Sequence, residues 1–164
     1  MVSKNQIEKE KASRIDTLLN AYQLALNSET ADGKQIFSYL IALPSIDSHY
    51  LEKNPQPYQT LKIRLMNLAK NKHALTRLQD ITTHWEQFFN GKENSSKARE
   101  VYHESRNLIA LRCLYTGRQL KQQEKQQAAN EFLMFGLSLQ PVISVQKALQ
   151  KELEKSVVPA ADNE

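Results

Sequence analysis

Four histidines, one cysteine and eighteen acidic residues are the side chains of this 164-residue sequence with the widest chemical reach. Glu100 and His103 stand three apart, which on a helix puts them on one face with the spacing of half a carboxylate-bridged di-iron site. A complete site needs a second Glu-x-x-His and further glutamates, and the sequence supplies none. Asp80 and His84 stand four apart and read as a contact along a helix face. Cys113 would be a nucleophile beside a histidine; the alternative is a buried, inert thiol, and that is the expectation. No glycine-rich phosphate loop, G-x-S-x-G, H-E-x-x-H or C-x-x-C pair is present. The expectation is a protein without catalysis, metal or cofactor.

The placement of charge says more than its total of +4. Between residues 53 and 79 there is no acid, while Lys62, Arg64, Lys70, Lys72 and Arg77 form a candidate anion-binding set. A second acid-free run, residues 105–123, holds Arg106, Arg112, Arg118 and Lys121. Solvated helix faces produce the same pattern. Tyr58, Trp85, Phe88 and Phe89 have the rings for base stacking, but their helical spacing makes them core.

These residues are carried by helices. Glycine is scarce, and Leu, Ala, Gln, Lys and Glu are abundant. Apolar residues recur at helical spacing over 6–28, 34–43, 58–89, 96–122, 127–139 and 142–155, and nowhere alternate as in a strand. Pro44 ends the second helix, and a turn at 45–48 and a connector fill the stretch to Pro57. Residues 58–89 read as one helix or as two joined at Lys70–His73, with a break the favoured form. Ser96 or a residue just before it caps the next helix. The Asn94-Ser-Ser96 sequon reads as chance. The length fits one all-helical domain over 1–156 with a flexible tail at 157–164. A single cysteine, no apolar leader and no run of about 18–20 apolar residues point to the cytoplasm.

Residues 110–141, ALRCLYTGRQLKQQEKQQAANEFLMFGLSLQP, carry small residues at Gly117, Ala129 and Gly136, and Pro141 follows. This pattern resembles a tetratricopeptide repeat, a helix–turn–helix unit in which small residues let the helices approach closely. Cys113 stands where the family has tryptophan, Thr116 for leucine, Leu120 for tyrosine and Leu133 for an aromatic ring. Glu124 stands in for the glycine of the turn. The amphipathic helix after Pro141, with Val145, Leu149 and Leu153 inward, has the form of a cap closing a stack of hairpins.

The resemblance implies an all-α, right-handed array of antiparallel hairpins with six or seven helices, in which 96–156 hold a hairpin and a C-terminal capping helix. It implies a protein-binding adaptor, scaffold or chaperone whose groove is lined by Leu111, Leu114, Arg118, Lys121 and Gln122. Arg118 and Lys121 suit a partner with an acidic segment. On that reading, reversing both charges weakens binding and leaves stability nearly unchanged. A nucleic-acid-associated regulator using residues 53–79, and a structural subunit of a larger assembly, are the alternatives.

Overall fold

The computed structural model describes residues 3–91 and 96–155. Among them lie eight α-helices and no strand. They are α1 (Lys4–Asn27), α2 (Gly33–Ala42), α3 (Tyr50–Lys53), α4 (Gln56–Ala69), α5 (Leu75–Asn90), α6 (Ser96–Gln122), α7 (Gln126–Ser138) and α8 (Ile143–Glu154), with a 3-10 turn at Leu43–Ser45. The expected tail at 157–164, and residues 94 and 95 of the sequon, lie outside the described residues. No helix among the described residues is long and apolar enough to cross a membrane.

The break between α4 and α5 is made by Asn71. Its carbonyl accepts from the Ala74 amide and its side chain from the His73 amide at 2.9 Å. That Asx turn competes with helix continuation. The short α3 escapes a periodicity reading because four residues show no stripe. Pro55 and Pro57 were expected to keep their stretch irregular, yet α4 begins at Gln56 with Pro57 in its first turn. A proline there gives up only an amide that has no helical partner.

The chain divides into two compact units, Met1–Arg64 with Asp80–Tyr102 and Leu65–Gln79 with His103–Glu164. In the first, α1 packs on α2 through its C-terminal half: Tyr22, Ala25 and Leu26 are buried, whereas Lys4 to Arg14 are all exposed. The expected aromatic core is present. Phe88 meets Phe37 at 5.5 Å and Tyr58 at 6.2 Å between ring centroids, and Trp85 meets Tyr102 edge-on at 5.3 Å. The buried Tyr22 hydroxyl donates to the Pro57 carbonyl at 2.7 Å. Asp80 and His84 make the expected helix-face contact at 3.1 Å, and Asp80 also accepts from the Gly33 amide at the start of α2.

In the second unit α6 and α7 pack antiparallel. A Cβ on Gly117 would lie 2.7 Å from Leu133 and 3.4 Å from the Ala129 carbonyl, and one on Gly136 would lie 3.3 Å from Cβ of Cys113. Ala129 and Cys113 are fully buried. The turn between the helices is a Schellman motif. Lys125 N–H donates to the Leu120 carbonyl, Glu124 N–H donates to the Lys121 carbonyl, and Glu124 has φ of 60°. Gln140, with φ of 52°, makes the same left-handed step before Pro141. Helix α8 then runs alongside α6: the Val142 amide meets Asn107 at one end and Glu152 meets Arg118 at the other. Val145 and Leu149 face inward as expected, but Leu153 is only half-buried and Glu152 takes the buried place.

Two substitutions test this packing. Ala129→Leu overfills the α6–α7 crossing and should cost about 1–3 kcal/mol in urea unfolding. Glu124→Gly removes a side chain from a left-handed position and should gain about 0.5–1 kcal/mol, raising Tm by roughly 1–4 °C in a chain of this size.

Candidate functional site

The residues expected to form one groove on α6 separate into two groups. Leu114 is 3% exposed and belongs to the core. The open face lies a step around the helix, where Leu108, Leu111, Tyr115, Arg118 and Gln122 follow at spacings of three and four. Leu108 and Tyr115 are exposed at 38% and 53%, and the Arg118 guanidinium sits 5.9 Å from the Tyr115 ring centroid. Leu111 is half-buried and Gln122 exposed. Sequence reasoning did not single out Leu108 and Tyr115 as part of a binding face. Their spacing to Leu111 and Arg118 was the available signal for a second face.

Lys121 is turned to α8. Its ammonium donates to the carbonyls of Glu152, in the last turn of α8, and of Lys155, its C-cap, and lies 4.0 Å from the Glu152 carboxylate. Arg118 Nε donates to Glu152 Oε2 at 3.2 Å, and Lys155 adds a longer contact at 3.8 Å. Burial holds the Lys121 ammonium below the usual lysine pKa, Lys155 acts the same way, and Glu152 opposes both. The acidic group that meets Arg118 and Lys121 is this chain's own Glu152. Reversing both charges is therefore not neutral.

The basic set at 62–77 is dispersed. Arg64 Nε donates to the Leu26 carbonyl at the end of α1 at 3.0 Å, so its guanidinium closes a helix. Lys72 contacts Gln123 at 3.3 Å and is exposed, Lys70 is exposed, and Lys62 and Arg77 are half-buried. Lys62 and Arg64 lie in the first unit and the other three in the second.

Cys113 is fully buried, and burial pushes its thiol up to about 12. The first unit has an open cleft of about 490 Å³ between α1 and residues 46–54, with Glu8, Lys11, Asp47 and Tyr50 on its walls. Among the described residues no three His, Cys, Asp or Glu side chains gather to hold a metal ion. Comparison with protein-family models, curated proteins and solved structures finds no match.

Arg118→Glu with Lys121→Glu places acids against Glu152 and should cost about 3–5 kcal/mol, the range for breaking a buried ion pair, with the lower end expected because Arg118 is 43% exposed. Cys113 adds a pH dependence. Above the ordinary thiol range of about 8.5, the unfolded chain loses this proton while the folded chain keeps it to about 12. Stability falls as pH rises through that window. Urea unfolding across pH 9–10.5 should show wild type losing about 1.4 kcal/mol per pH unit more than Cys113→Ala.

Proposed function

We propose that this chain is a protein-interaction module, an adaptor, scaffold or chaperone, that binds a partner on the outer face of α6 and acts without catalysis. The observation that carries this reading is the exposed pair Leu108 and Tyr115, with half-buried Leu111 between them, beside Arg118, in a stretch of helix with no acid from 105 to 123. Aromatic and arginine side chains are the residues enriched at protein-binding surfaces. Arg112 and Arg118 favour a partner with acidic groups at the rim.

A tetratricopeptide-like hairpin is the scaffold we infer for that face. Its support is the close approach at Gly117, the buried Ala129, the left-handed Glu124 at the family's glycine position and the amphipathic α8 after Pro141. In that family the first helix of each hairpin lines the groove, the place α6 would take. The inert thiol of Cys113 supports binding over nucleophilic chemistry, and a lone cysteine suits a reducing compartment such as the cytoplasm.

A photo-crosslinking residue at Tyr115, followed by binding measurements on the captured partner, tests the reading. Leu108→Lys with Tyr115→Ala should leave Tm within about 2 °C, since exposed substitutions change stability by about 0.5 kcal/mol or less. The same pair should weaken partner binding at least tenfold. Unchanged affinity would remove this face from the site.

A further inference from the structure

Helix α8 is held in a manner unlike the helices around it. Helix α7 buries Ala129, Phe132, Leu133, Phe135 and Gly136, whereas α8 buries only Val145, Leu149 and one charged residue, Glu152. Its contacts are arranged along its length. Asn107 of α6 accepts the Val142 amide at 2.8 Å, satisfying the start of the helix. Leu149 lies over Gly136, where a Cβ would come within 3.2 Å of it, so the groove floor is open to the shape of a leucine. Arg118 and Lys121 take the carboxylate of Glu152, and Lys121 also takes the final carbonyls. The groove therefore reads a helix by direction, by one leucine and by one carboxylate, and the three polar side chains that do so, Asn107, Arg118 and Lys121, all come from α6.

We propose that this groove of α6 and α7 is a recognition site for an amphipathic helix of the pattern apolar-x-x-x-Leu-x-x-Glu, with α8 as its resident and exchangeable occupant. The pattern is the one α8 itself shows in Val145, Leu149 and Glu152. Charge complementarity selects the occupant. Two cations face the groove end, and Lys121 is 9% exposed on its side chain, so a helix lacking the acid leaves a cation enclosed without its counter-charge. A partner helix with the same acid competes with α8 on equal chemical terms. The tether holds α8 at a high effective concentration, so the outside helix gains access in proportion to how far α8 is weakened. Binding in this groove rests on the reading of the chain as an interaction module, but uses a different surface from Leu108 and Tyr115.

The test is a titration of the full-length chain with a fluorescein-labelled peptide of sequence VISVQKALQKELEK, residues 142–155, followed by anisotropy. A Glu152→Lys chain repels its own α8 from Arg118 and Lys121. It should bind the peptide saturably and at least tenfold more tightly than wild type does. The peptide carrying the same Glu→Lys change should bind that chain at least tenfold more weakly. Absence of saturable binding, or binding indifferent to the peptide's carboxylate, overturns the proposal. Should Glu152→Lys lose its helical circular dichroism, hydrogen exchange on wild type decides. Amides of α8 should open at least tenfold more often than those of α6 and α7, and exchange in step with them overturns the proposal. Peptide binding that survives Leu108→Lys with Tyr115→Ala, in a chain whose partner binding also survives, would fault the outer face and leave the groove standing.

Discussion

A helix ends on backbone groups with no partner of their own, and in this chain other helices supply the missing partners. Helices α1, α4 and α5 have no basic residue in their last turn, and α6 has no acid in its first. Arg64 of α4 closes α1, Arg99 of α6 closes α5 through the Phe89 carbonyl, and Thr116 of α6 closes α4 through the Ala69 carbonyl at 2.6 Å. At the opposite polarity Asp80 meets the first amide of α2, and Glu52 meets the first amide and hydroxyl of α6. Cations sit at carbonyl ends and carboxylates at amide ends, as the helix dipole favours. Each such contact satisfies a terminus and fixes which neighbour it faces.

That constraint explains which parts of the fold were legible. Residue types read locally were informative: Gly117, Ala129 and Cys113 sit at a close crossing because small side chains at helical spacing leave one option for packing. Trp85, Phe88 and Phe89 fall in the core by the same periodicity. Apart from Arg99 with Phe89, ten positions away, the end contacts join residues 31 to 47 positions apart, and no local pattern marks Arg64 as the partner of Leu26 or Lys121 as the partner of Glu152. Basic residues with an internal role therefore looked, in sequence, like a surface waiting for an anion. Leu114 was misplaced for a related reason. On a helix with partners on several sides, the choice between faces 100° apart depends on neighbours that the helix's own sequence does not name.

The second unit joins these two kinds of information. The hairpin of α6 and α7 is built by steric fit, whereas α8 adds charge and hydrogen bonds at its two ends to the buried Val145 and Leu149. Steric fit is insensitive to ionic conditions, and ion pairs that are partly open to water are screened by salt. The hairpin and its last helix thus respond differently to the medium. The exposed Tyr115 stands beside Arg118, which is itself shared with Glu152, so the outer face of α6 and the attachment of α8 meet in one guanidinium.

The two links that follow α6, at Glu124 and Gln140, each set a residue with a Cβ in the left-handed region, where glycine is favoured. Such turns do not direct the helices; they follow where the helices have already been placed. Loop closure becomes costlier by only about 0.6 kcal/mol for each doubling of length, and an added residue at either link would release the left-handed step. Insertions and deletions would therefore accumulate at these two positions as related sequences diverge, while the lengths of α6 and α7 stay constant.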